Sequence, residues 1–224
     1  MLTTPHWTGD ANTFVDTLFA WMKVAGAVCR CGSETLLSRS LCVADRARAD
    51  GAGRSDICAG LLHCVGTMLI YTDFSSDTGN IRSRNYEIGA RWLSGMFPHS
   101  VAGPVRLLPD ARRWLFATDK AFRDILSDEA LREMAYEGGP MTGPERQVFE
   151  GREGFDAAIA LCRRIEWSKT RSCTHWTAHD LDRFRQQVIG CLLASPSGRS
   201  VTPARPNYDA PVPATHLPGQ PAAG

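Results

Sequence analysis

The sequence predicts an all-α fold, and three observations predict it. Apolar residues recur at helical spacing from Phe14 to Leu192. No stretch alternates apolar and polar residues as a half-buried strand would. Capping and breaking residues punctuate the apolar stripes where helices should start and stop.

Phe14, Leu18, Trp21, Met22 and Ala25 form the first stripe. Leu37, Leu41, Ala44 and Ala47 form the second. Ile57, Leu61, Leu62, Val65, Met68 and Leu69 are apolar on more than one side, which predicts a central helix. Tyr86, Ala90, Leu93 and Phe97 make a fourth face. Val105, Leu108, Ala111 and Leu115 make a fifth, with Pro104 suited to a first helical turn. Two shorter helices should precede the breaker Gly138-Gly139-Pro140. Thr142 with Glu145, and Pro144 between them, carries the signature of a capping box. Phe155, Ala158, Ile159, Cys162 and Ile165 share the next face. Thr177 with Asp180 can start the last helix, with Leu181, Phe184, Val188 and Leu192 on one side. We therefore expect a helical domain over residues 1–194. Residues 195–224 carry seven prolines in thirty positions and little apolar content, and are expected to form a disordered tail.

The 224 residues and 43% apolar content permit one domain with a real core. A net charge of +1 offers no bulk field for nucleic acid or an anionic membrane, so neither is expected as a partner. The first residues show no basic segment followed by an apolar run, and no stretch approaches the roughly 20 apolar residues of a membrane span. A cytoplasmic location follows as the expectation. The eight cysteines then read as reduced thiols rather than a disulfide framework. Cys29 and Cys31 are too close for a CxxC metal site, and His175 with His179 lacks the glutamate of a zinc protease helix.

Five motifs in order carry a resemblance. Leu61-Leu62-His63-Cys64-Val65-Gly66-Thr67 resembles the LLHDIGH signature of the HD-domain superfamily. Asn85 to Leu93 is similar to HEELGAxWL, and Pro104 to Leu115 to PVRLHxxAKRYL. Gly138-Gly139-Pro140-Met141 resembles a QGGPM loop, and Leu161 to Glu166 is similar to LRRWD. Together they resemble the PhnZ-like branch of phosphonate-catabolic, mixed-valent di-iron oxygenases, over roughly residues 30–170. The resemblance implies a helical HD-domain bundle and a site built by its converging helices.

It also implies a depleted set of metal ligands. The branch's first ligand histidine falls at Arg39, a permanent cation with no lone pair. The HD pair is His63 with Cys64, and the following histidine is Thr67. Further ligand histidines fall at Asn85 (or Tyr86, one register on) and at Leu108, and the last aspartate at Glu166. No metal or other cofactor is therefore expected, and Arg39 is expected to pair with Glu166 in place of the metal's charge. Arg112 falls where the branch binds substrate with lysine, and its fork suits phosphonate, phosphate or carboxylate.

Two functional readings compete. In the first, a metal-independent enzyme retains a site for a small polar or anionic metabolite. His63, Glu166 and Cys64 would do its chemistry, and Arg112, Asn85, Tyr86 and Arg39 would line it. In the second, the chain is a pseudoenzyme acting as a binding or regulatory module. A minor third reading keeps an oxygenase on one iron held by His63, Cys64 and Glu166. The sequence assigns no oligomeric state.

Overall fold

The computed structural model describes residues 3–7, 9–31, 34–73 and 84–193, without the side chains of residues 29–31, 73, 129 and 133. The proline-rich stretch lies outside the described residues.

The described chain is an all-α bundle. Helix α1 (Ala11–Ala25) is opened by Asp10, whose carboxylate accepts from the Thr13 amide at 2.7 Å. Its predicted stripe is buried in full, from Phe14 through Ala25. A short antiparallel ribbon follows, β1 (Cys29–Cys31) with β2 (Glu34–Thr35). No alternating pattern announces it, because five residues are too few to show a period of two. Thr35 and Ser38 form a capping box that starts α2 (Leu36–Ala49).

The expected central helix is two helices, α3 (Arg54–Leu62) and α4 (Val65–Asp73), separated by a turn at His63 and Cys64. The Arg54–Thr72 stretch is long and apolar enough by composition to cross a membrane, contrary to the reading of the sequence. Its most apolar window is 72% buried within the bundle, as a core helix requires.

Next come α5 (Asn85–Leu93), α6 (His99–Arg106) and α7 (Leu108–Thr118). The fifth predicted stripe thus spans two helices, and Pro104 sits inside α6 rather than at a start. Pro109 occupies the first turn of α7 and does what was expected of Pro104. Helices α8 (Lys120–Asp124), α9 (Asp128–Tyr136), α10 (Gly143–Glu150) and α11 (Phe155–Lys169) complete the main bundle. The Thr142–Glu145 capping box is present. Thr177 and Asp180 also form one, but the helix they cap begins as a 3₁₀ segment, Ala178–Phe184, before α12 (Arg185–Ile189). The last described residue closes on the bundle, with the Leu193 amide donating to the Met96 carbonyl at 2.9 Å.

Glycines set two close helix approaches. A Cβ on Gly60 of α3 would lie 3.3 Å from the backbone of Ala44 in α2. A Cβ on Gly66 of α4 would lie 1.8 Å from the Asn85 carbonyl oxygen. Only a residue without a side chain lets α4 and α5 come this near, and that contact fixes where Asn85 and Tyr86 stand.

Candidate functional site

Of the seven candidate residues, polar contacts gather His63, Cys64, Asn85, Tyr86, Arg112 and Glu166 into three groups, while Arg39 pairs elsewhere. The first lies at the turn between α3 and α4. His63 and Cys64 are buried, at 5% and 8% exposure. The His63 Nδ1 lies 2.7 Å from the Gly60 carbonyl oxygen. A carbonyl can only accept, so Nδ1 carries the proton and a neutral ring presents the Nε2 lone pair. That lone pair faces the Cys64 Sγ at 3.2 Å. A thiol, an imidazole beside it and a backbone group orienting that imidazole are the parts that nucleophilic chemistry would require.

Burial alone would raise the Cys64 thiol, but the imidazole beside it, the Ser40 hydroxyl and the Arg39 charge hold it below its ordinary value. Burial alone would lower His63, but Cys64 and the Gly60 carbonyl raise it against the opposing charge of Arg39. Both directions favour an imidazolium–thiolate pair.

Arg39 does not pair with Glu166. Its Nη2 lies 2.6 Å from the Glu34 carboxylate, on the neighbouring strand β2. Glu34 also accepts from the Cys173 amide at 3.0 Å. The ribbon brings Glu34 to α2 and supplies Arg39 with a nearer partner than α11 can.

The second group joins α4 to α5. The Asn85 amide donates to the Thr67 hydroxyl at 3.0 Å, and its carbonyl oxygen accepts from the Tyr86 amide at 2.8 Å. Leu108, on α7, is packed in the core.

The third group is a buried charge cluster. Arg112 is 2% exposed. Its Nη1 donates to Glu137 at 3.0 Å, and its Nη2 to the Tyr86 hydroxyl at 3.2 Å, with the guanidinium 5.9 Å from the Tyr86 ring centroid. Glu166, also 2% exposed, lies 3.9 Å from Arg112 Nε and accepts from Lys169 at 2.8 Å. Burial works against the Arg112 charge, but Tyr86 and the carboxylates of Glu137 and Glu166 hold its proton more tightly than usual. Burial likewise pushes the neighbouring Cys162 thiol up to about 12, so it stays protonated.

Sequence reasoning missed Glu34, Ser40, Glu137 and Lys169. Lys169 stands three residues after Glu166 on one helix, a spacing that makes neighbours and was legible. Glu34 and Glu137 reach their partners through the ribbon and a loop, which leave no periodic signal. Among the described residues, no three His, Cys, Asp or Glu side chains gather as a metal ligand set. The six cysteines whose side chains are described are free thiols.

No family model matches the chain. Two known proteins do. The chain is similar to two phosphonate dioxygenases. Hydroxymethylphosphonate dioxygenase of Gimesia maris is 27% identical over 181 residues, which is 80% of this chain and 88% of the relative. The [1-hydroxy-2-(trimethylamino)ethyl]phosphonate dioxygenase (glycine-betaine-forming) of Leisingera caerulea is 28% identical over 146 residues, or 62% of this chain and 74% of the relative. Both agree with the phosphonate-related branch that the five motifs resemble.

Proposed function

We propose that this chain is a cytoplasmic enzyme acting on a small phosphonate-like or other anionic metabolite without a di-iron centre. The observation that carries the proposal is the His63 Nε2–Cys64 Sγ contact of 3.2 Å, with the base oriented by the Gly60 carbonyl. In this reading His63 takes the Cys64 proton and returns it as a general acid. Arg112 and Tyr86 hold the anionic group, Glu166 supplies a second acid–base position, and Asn85 and Arg39 border the site. That both relatives are phosphonate dioxygenases supports the substrate class.

The donor set does not fit a pair of irons. Arg39 brings a cation, held by Glu34, to the first ligand position. Thr67 and Asn85 hydrogen-bond to each other. Leu108 offers no donor, and Glu166 is matched by Lys169. We therefore derive no step through a metal.

Elemental analysis of protein purified without chelator, then again after anaerobic iron loading, is expected to give no stoichiometric metal. Two irons per chain would overturn the metal-free reading, and one would favour a site on His63, Cys64 and Glu166. Phosphorus NMR of protein incubated with small phosphonates is expected to show a product that His63→Ala abolishes while the circular dichroism spectrum is retained. Full activity in that variant would exclude His63 as the acid–base group. The pseudoenzyme reading draws on the Thr67–Asn85 bond and the buried Leu108, which fill ligand positions rather than reuse them. It requires that site substitutions act only through stability or partner binding.

A further inference from the structure

Helix α12 packs on α3, and the turn after it brings Cys191 onto Cys58. Arg54 Nη1 donates to the Gly190 carbonyl at 3.4 Å, which holds that turn against the start of α3. Gly190 makes room for the guanidinium, since a Cβ there would lie 2.1 Å from Nη1. Cys58, one helical turn past Arg54, is 0% exposed, whereas Cys191 is 6% exposed and lies outside any helix. A hydrogen bond joins the two side chains, and its effect on each identifies the donor. It raises Cys58 and lowers Cys191, so the Cys58 S–H points at the Cys191 sulfur. This bond acts first, against burial, and with the Ser55 hydroxyl and the Arg54 charge it draws the Cys191 thiol down to about 7. The other adjacent pair, Cys42 with Cys173, is engaged elsewhere, the Cys173 sulfur donating to the Ser168 carbonyl at 3.5 Å.

We infer that Cys58 and Cys191 form a reversible disulfide, a redox latch that fastens the turn after α12 to α3 when a hydroperoxide is present. Neither thiol belongs to the three groups above, so the inference stands apart from the proposed activity. The Cys191 thiolate at the rim attacks a peroxide oxygen and the O–O bond breaks. Cys191 becomes a sulfenic acid, and the departing hydroxide takes up the proton that the thiol had released. The Cys58 sulfur then attacks the Cys191 sulfur, its proton joins the departing hydroxyl, and water leaves. In sum, two thiols lose two electrons and two protons, and hydrogen peroxide is reduced to two waters. Closing from hydrogen-bond contact to a covalent bond needs one side to yield. Cys58 is held within α3 in the core, so the movement falls to Cys191 in its turn.

Mass spectrometry of the full chain, treated with a slight excess of hydrogen peroxide and then alkylated under denaturing conditions, tests the latch. The expected product is a disulfide linking Cys58 to Cys191 that dithiothreitol reverses. Cys58 and Cys64 share a tryptic peptide, so fragment ions assign the linked sulfur. The oxidised chain is expected to unfold at a thermal midpoint roughly 5–15 °C higher, because the cross-link restrains the unfolded state. In Cys58→Ser, oxidation should stop at a Cys191 sulfenic acid, which dimedone traps. In Cys191→Ser, Cys58 should stay open to alkylation. The measurement on the parent stands even where a variant fails to fold. Two thiols still alkylated after peroxide treatment, or a link through Cys64 or Cys42 instead, would overturn the inference. So would an unchanged or lower midpoint in the linked protein.

Discussion

At the scale of single residues, the His63–Cys64 contact makes a spectroscopic prediction. A thiolate absorbs in the far ultraviolet where a thiol does not. The Cys64 thiol is held below its ordinary value, so its thiolate signal should persist to lower pH than that of an ordinary thiol. Cys64→Ser should lack that component, and His63→Ala should move it toward higher pH by removing the base at 3.2 Å. A Cys64 component that titrates no lower than an ordinary thiol would show that the pair packs as a neutral thiol and imidazole. The Arg112 cluster makes a second, thermodynamic prediction. Arg112→Ala would leave Glu137 and Glu166 short of their buried counter-charge, a loss of about 3–5 kcal/mol in stability. Urea unfolding would register it as a lower midpoint with an unchanged slope. Loss below about 1 kcal/mol would mean that water or Lys169 compensates both carboxylates.

At the scale of elements, the closest helix approach and a capping box are each testable. Gly66→Ala places a methyl group against the backbone of Asn85, where no side chain can yield. Overpacking commonly costs about 1–3 kcal/mol, and a clash with main chain belongs at or beyond the upper end. Thermal unfolding should drop accordingly, and an unchanged melting temperature would disprove the tight α4–α5 contact. In the capping box, Glu145 accepts from the Thr142 amide and from Arg113, which hold its carboxyl down at about 2 against an ordinary 4.5. A depressed folded-state value stabilises above the unfolded one and is lost as pH falls through the folded one. The stability difference between the parent and Glu145→Gln should therefore be present at neutral pH and vanish as pH falls from about 4.5 to about 2. Its size should be modest, because the Glu145 side chain is 43% exposed and solvent screens the pair. These elements also show what the sequence made legible. The stripes of α1 and α2 and both later capping boxes follow from local spacing, and local spacing is what the chain displays. The turn at His63 and Cys64 does not, since apolar residues continue on both sides and burial on all faces erases the period. The helix break at Leu107 escaped for a related reason: Pro104 and Pro109 are both plausible first-turn residues, and only packing assigns the role to Pro109.

For the molecule as a whole, the motifs singled out individual residues, but the partners those residues meet came from tertiary contacts that no spacing encodes. Arg39 is the clearest case. The sequence offered Glu166 as its counter-charge, whereas a two-stranded ribbon too short to recognise delivers Glu34 instead. Metal binding is where this difference becomes global. A native state that holds iron is stabilised by mass action, by about 2.7 kcal/mol when free metal is a hundredfold above its dissociation constant. Our proposal requires no such gain, because the charge that iron would supply near α2 is already present as Arg39, and Glu34 neutralises it there. Thermal unfolding under anaerobic conditions should give the same midpoint with and without excess ferrous iron. A saturable rise would show that the native fold binds metal, and Arg39→His, which exchanges a fixed cation for a donor, should then enlarge it. If the parent shows no rise and R39H shows none either, the Thr67–Asn85 bond and the buried Leu108 also stand in the way of metal. Restoring one donor would then be too little, and the loss of the ligand set would be a property of the whole site rather than of one arginine.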